Sequence, residues 1–177
     1  LVIAASPPLL RNSEWRPLDD AARASVPGAY VQLGEGLVHY EQAGPLDGPP
    51  VLLVHGFSVP SYIYDPTFAA LAAAGHRVIR FDLYGRGHSD RPGGDYGIAR
   101  YTRQIDELLG ALAIEGPVDL VGLSMGGVIA AAYTAEHPAR VRRLVTLGSP
   151  LGVEEVQDLL RQGPVAHAAR AARTKVN

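Results

Sequence analysis

The sequence has no cysteine, one methionine, one tryptophan and three phenylalanines in 177 residues. Without cysteine there is no disulfide, no thiolate nucleophile and no thiolate metal site, and that absence suits any redox compartment. An excess of one charge is also missing: 16 basic and 18 acidic side chains leave a formal net charge of −2. Such a balance leaves no electrostatic footprint for nucleic acid or an acidic surface as partner. Long apolar runs are absent as well. Leu1–Ala5 is apolar throughout, but five residues fall far short of the roughly 20 that a membrane-crossing helix needs. The run reads as the end of a longer upstream hydrophobic segment, an anchor or a signal, or as a frayed terminus. The compartment is left open. No Gly-x-Gly-x-x-Gly follows a strand and no glycine-rich loop ends in Lys-Ser/Thr, which argues against a nucleotide-binding domain. The six histidines are scattered, without His-Glu-x-x-His or a close ligand pair. Neither a metal nor another cofactor is expected.

What is present suits one globular domain: 47% apolar and 19% charged residues, over a length able to enclose a core. Residues 1 to 28 are rich in proline and charge and read as an arm or linker, with room for one helical turn after Pro17. Residues 29 to 150 carry the regular pattern. Tyr30–Leu33 and Leu37–Glu41 flank Gly34-Glu35-Gly36, the mark of a β-hairpin. Pro50–Val54 is a continuous apolar run, as in a strand covered on both faces. Alternation follows: a helix over 61–74, a strand over 77–81, an amphipathic helix over 98–113, a strand over 118–123, a helix over 125–136 and a strand over 141–147. The class this predicts is α/β, a doubly wound and mostly parallel sheet. A further helix is expected over 153–162, and residues 151 to 177 read as the start of a lid region or a frayed tail.

Within this frame one serine stands out. Gly122-Leu123-Ser124-Met125-Gly126 follows a buried strand and opens an alanine-rich helix. An ordinary strand-to-helix turn is the plain alternative. The stronger reading is a nucleophile on a tight turn, with Gly122 and Gly126 where a side chain would collide with that turn. An acyl-transfer nucleophile also needs two donors aimed at its oxyanion. The backbone N–H of Met125, first in the helix, can be one. The N–H of Phe57, in His55-Gly56-Phe57 after the strand 50–54, is placed to be the other. Losing one such donor costs about 3 to 4 kcal/mol of transition-state stabilisation. Asp82 and His88 lie in a loop with two glycines and Ser89, a composition that favours a self-capping turn over a catalytic pair.

These three motifs, in this order, resemble the α/β-hydrolases over roughly residues 28–150. The resemblance implies Ser124 as nucleophile, Phe57 and Met125 as oxyanion donors, and His55 with Gly56 as shapers of the oxyanion loop. His55 is not the base in that reading. The serine also argues against the branches with aspartate at this position, such as haloalkane dehalogenases and most epoxide hydrolases. The family's order is serine, then acid, then histidine, with a helical lid generally between. After Ser124 this sequence offers only His137 and His167, and the acids Glu136, Glu154, Glu155 and Asp158. His137 lies about 18 Å along the helix from the nucleophile. The positions after the strand 141–147, where some members carry the acid, are Gly148, Ser149 and Pro150. The expectation is the N-terminal part of a serine hydrolase acting on a small ester-like substrate, inactive or weak as this chain. A non-catalytic ligand-binding relative on the same scaffold is the alternative. Oligomeric state is not legible.

Overall fold

A computed structural model describes residues 18–150 and 153–162. Strands β1 (Ala29–Leu33) and β2 (Gly36–Ala43) form the expected antiparallel hairpin. The other strands are β3 (Pro50–Val54), β4 (Arg77–Phe81), β5 (Val118–Leu123) and β6 (Val141–Leu147). They assemble in the order β1-β2-β4-β3-β5-β6, antiparallel up to the β2–β4 pair and parallel from β4 onward. Helices α1 (Asp20–Ala24), α2 (Asp65–Ala73), α3 (Ile98–Ala111), α4 (Met125–Glu136) and α5 (Val153–Gln162), with 3-10 turns at Ser61–Tyr64 and Pro138–Arg140, complete the described elements. The α/β class and the mostly parallel open sheet are as the alternation predicts.

The apolar run of β3 has a simple cause. Leu52 and Val54 join Ile79, Phe81, Ile105, Leu108 and Ile129 in one core, beneath α3 and α4. Val51 and Leu53 join Val78, Tyr64, Phe68 and Leu71 on the other face, beneath α2. Successive side chains in a strand point to opposite faces, so a strand covered on both has no polar positions to spare. Each such residue contributes about 1.5 to 3 kcal/mol when fully buried. In α3, Tyr101, Ile105, Leu108 and Leu109 recur at helical spacing and are all buried.

The segment expected as one helix over 61–74 is split. Ser61–Tyr64 is a 3-10 turn and α2 starts at Asp65. Pro66, in the first turn of α2, has no N–H to continue an α-helical ladder backwards. Asp65 and Glu41 both pair with Arg80, a buried cation whose guanidinium also lies 4.5 Å from the Phe68 ring centroid. That cluster clips α2 to β2 and β4.

Residues just before β1 lie against the loop that follows β4. Asp19 caps α1 by accepting from the Ala22 N–H at 2.8 Å, and Arg23 reaches Asp90 at 2.5 Å. No helix among the described residues is long and apolar enough to cross a membrane.

β6 pairs only with β5 among the described strands. Its inner positions Val141 and Leu144 pack with Val118 and Leu120 under α4. Val145 and Leu147 sit opposite Val121 and Leu123 on the other face, and they remain 45% and 44% exposed. An apolar, unpaired strand edge invites strand-to-strand association. The 177-residue chain is therefore expected to self-associate, and Val145→Lys with Leu147→Lys to shift it toward monomer, as read by sedimentation velocity. An unchanged distribution would show that β6 is not the sticky edge.

Candidate active site

Ser124 occupies the junction between β5 and α4, with φ 53° and ψ −120°. This is a left-handed conformation that L side chains rarely adopt, and it costs on the order of 1 to 3 kcal/mol. Local packing holds it there. The Ser124 N–H donates to the Leu147 carbonyl at 2.8 Å, and its own carbonyl accepts from the Gly127 N–H at 2.9 Å. Its side chain makes no capping bond to the helix and the residue is exposed. The hydroxyl is thus left facing solvent on a rigid turn.

The flanking glycines answer to close backbone approach. A Cβ on Gly122 would strike the Gly126 carbonyl, and one on Gly126 would strike the carbonyls of Val54 and His55. The turn can therefore press against the end of β3. A Cβ on Gly56 would lie 3.2 Å from the Ser124 Cβ, which places the loop after β3 directly beside the serine. The residues of the two separate motifs are brought together.

His55 is fully buried and both its ring nitrogens are committed. Nε2 accepts from the Leu83 N–H at 3.0 Å, which leaves the proton on Nδ1. Nδ1–H in turn donates to the Gly56 carbonyl at 2.7 Å. Burial is the main cause that pushes the His55 pKa down, so the ring stays neutral. The Gly56 carbonyl and the Phe57 N–H belong to one trans peptide and point in opposite directions. By holding the first, His55 aims the second. Among the described residues the N–H groups of Phe57 and Met125 have no acceptor. Met125 is the first residue of α4, where the helix itself offers no partner.

No imidazole or carboxylate among the described residues hydrogen-bonds Ser124. His137 caps the far end of α4, its ring 4.7 Å from that of Tyr133. Glu154, Glu155 and Asp158 are exposed on α5. His167 lies outside the described residues.

The Asp82–Ser89 loop closes on itself, and Asp82 is spent in doing so. Its carboxylate accepts from the N–H groups of Ser61 and His88, both at 2.9 Å, and from His39 Nδ1–H at 3.0 Å. Ser89 Oγ donates to the Asp82 carbonyl at 2.6 Å. Burial opposes the charge on Asp82, but these donors outweigh it and hold its pKa well below the usual carboxylate range. His39 was missed in the sequence. Its Nε2 lies 2.8 Å from the Pro27 carbonyl, so both ring nitrogens face acceptors and both carry protons. Burial disfavours that imidazolium, yet the bonds to Asp82 and Pro27 raise its pKa. His39, Asp82 and His88 have ligand atoms within 4.8 Å of one another. A doubly protonated His39 has no lone pair for a metal, so the trio is a buried ion pair with a neighbouring histidine.

The chain matches the alpha/beta hydrolase fold family over residues 49–173. It belongs to that family. Among curated relatives it is 39% identical to a haloalkane dehalogenase of Psychrobacter cryohalolentis, over 60% of this chain and 36% of that protein. Among solved structures it resembles the enol-lactonase of Burkholderia xenovorans, with TM-score 0.62 and 31% identity over 66% of this chain and 45% of that one. An esterase of Exiguobacterium antarcticum gives TM-score 0.64 and 30% identity, over 70% of this chain and 46% of that one. The chain spans about a third of the length of the curated relatives it matches.

Two outcomes test this geometry. Ser124→Gly relieves the left-handed strain that Ser124→Ala retains, so urea denaturation should find the glycine variant more stable by about 1 kcal/mol. Equal stabilities would mean the turn carries no strain. His39→Leu leaves the Asp82 carboxylate buried without its cation and should cost roughly 3 to 5 kcal/mol. Because folding raises the His39 pKa, its stabilisation is complete below the unfolded value near 6.5 and fades as pH rises through the folded value. The wild-type chain should therefore lose stability as pH rises above about 6.5, and His39→Leu should lose much of that slope.

Proposed function

We propose that the protein carrying this chain is a serine hydrolase that cleaves an ester or related acyl bond of a small molecule through a Ser124 acyl-enzyme. One observation carries this reading: an exposed serine on a strained turn, packed against Gly56, beside two amides that have no acceptor among the described residues. Ser124 Oγ attacks the acyl carbon, and the carbonyl oxygen becomes an oxyanion that accepts from the Phe57 and Met125 N–H groups. Each donor contributes about 3 to 4 kcal/mol to the transition state. The tetrahedral intermediate collapses by expelling the alcohol, which leaves with the proton lost by Ser124 Oγ, and water then hydrolyses the acyl ester to release the acid and restore the Ser124 hydroxyl. His55 orients the Phe57 amide and takes no proton. Gly122 and Gly126 let the turn approach the sheet.

Base and acid come from residues other than those described. Without them the serine keeps only what an oxyanion hole and binding give, about 10³ to 10⁴ over water. The chain alone is therefore a weak catalyst or none. The serine also limits which relatives are a guide. A carboxylate that displaces a halide forms an alkyl ester that water can cleave. A serine doing so would form an ether, which is inert to hydrolysis. Haloalkane turnover is thus not the reading for Ser124, despite the kinship with a dehalogenase. The enol-lactonase and esterase neighbours support acyl chemistry. No imidazole among the described residues bonds Ser124, which favours one second reading, a non-catalytic ligand-binding relative on this scaffold.

A fluorophosphonate probe separates the two. The protein carrying this chain together with its acid and histidine should be labelled, and Ser124→Ala should abolish labelling and p-nitrophenyl ester hydrolysis. No labelling would favour the binding protein. Labelling that survives Ser124→Ala would remove Ser124 as nucleophile.

A further inference from the structure

Phe57 is 64% exposed, an unusual state for a phenylalanine whose backbone is asked to hold a catalytic hydrogen bond in place. Residues 57–59 lie outside any helix or strand. Only one side chain in the described structure holds the Phe57 carbonyl. Arg86 Nε–H donates to it at 2.7 Å, while the guanidinium carbon sits 4.5 Å from the centroid of the Phe57 ring. The same guanidinium is braced by Nη1–H to the Gly85 carbonyl at 2.9 Å. We infer that Arg86 is a positioning residue for the oxyanion loop, holding the Phe57 amide on target from the side opposite His55; the inference rests on the proposed role of that amide.

The geometry is that of two clamps on one residue. His55 Nδ1–H fixes the peptide plane before the Phe57 Cα by holding the Gly56 carbonyl. Arg86 Nε–H fixes the plane after it by holding the Phe57 carbonyl. With both planes held, φ and ψ of Phe57 are set, and so is the direction of its N–H. Neither clamp alone does this, because a peptide plane held on one side can still swing about the Cα.

Arg86 is itself on a firm base. Its N–H donates to the Leu83 carbonyl at 2.9 Å, and its carbonyl accepts from the Ser89 N–H at 3.2 Å. The loop is tied further by Gly85 N–H to the Asp90 carbonyl at 2.9 Å and Asp90 N–H to the Leu37 carbonyl at 2.9 Å. The Leu83 N–H that sets the His55 tautomer comes from the same loop. Both clamps therefore hang from residues 83–90, and the Asp82 network beneath them holds the oxyanion loop through that one segment. A planar guanidinium can stack on a ring while an in-plane N–H donates to a carbonyl. A lysine ammonium keeps the charge but not this combination.

The experiment uses the protein carrying this chain, with Arg86→Met and Arg86→Lys compared with wild type. Nitrogen-15 relaxation reads the loop without any catalysis: the Phe57 order parameter should fall below about 0.6 in Arg86→Met while that of Ser124 stays near 0.85. In the active enzyme, kcat for a p-nitrophenyl ester should fall roughly tenfold or more, with KM within about twofold, since misplacement of about 1 Å can cost about 10²-fold. The rate of fluorophosphonate labelling should fall by the same factor, and Arg86→Lys should not restore it. A rigid Phe57 in Arg86→Met, an unchanged kcat, a raised KM with intact kcat, or full rescue by lysine would each overturn the inference. Labelling that persists in Ser124→Ala overturns the hydrolase reading instead, and the relaxation result then stands as a structural finding without a catalytic role.

Discussion

The structure around Ser124 depends on one steric constraint: the backbone of the β5–α4 turn touches the backbone at the end of β3. Gly126 lies against the carbonyls of Val54 and His55, and Gly122 against the first turn of α4, with no room for a Cβ at either place. From that contact follow the left-handed Ser124, the hydroxyl left free of the helix and the nearness of Gly56. A wider turn would relax the serine and open the gap across which two loops act as one site. Strain of a few kcal/mol persists here because β3, against which the turn packs, is buried on both faces and cannot give way.

Beneath the site lies a second support, built from charge. Asp82 gathers donors from β2, from the turn before α2 and from its own loop, and so ties three segments to the end of β4. Burying a lone carboxylate would be prohibitive; here an imidazolium and two backbone amides offset the cost. The loop so fixed then serves the neighbouring loop, through Leu83 to His55 and through Arg86 to Phe57. What looks like a candidate catalytic Asp and His in the sequence is scaffold, and its service to the site is indirect.

Much of this was legible residue by residue. The two-faced burial of β3 shows in five consecutive apolar positions, and the α3 stripe shows in its spacing. The serine turn shows because local sterics demand glycine on both sides. Pro66 could have warned that one helix would be a 3-10 turn followed by an α-helix. His39 could not be found in this way. Its partner is 43 residues distant, and only the antiparallel β2–β4 register sets it beside Asp82. Arg86 was equally silent, because an arginine in a glycine-rich loop has many places to reach and the β3 loop is only one of them.

The sequence by itself determined the class of fold, the strand–turn–helix around Ser124 and the His55-Gly56-Phe57 loop at the same sheet edge. These follow from periodicity, from volume and from the backbone angles that glycine permits, all properties of neighbouring residues. The tertiary structure alone decided which histidine carries a charge and which is neutral, which loop braces which, and which strand β6 pairs with among the described residues. Those outcomes turn on acceptors and side chains brought together from distant segments, and a protonation state or a hydrogen bond is settled by what surrounds a group in space.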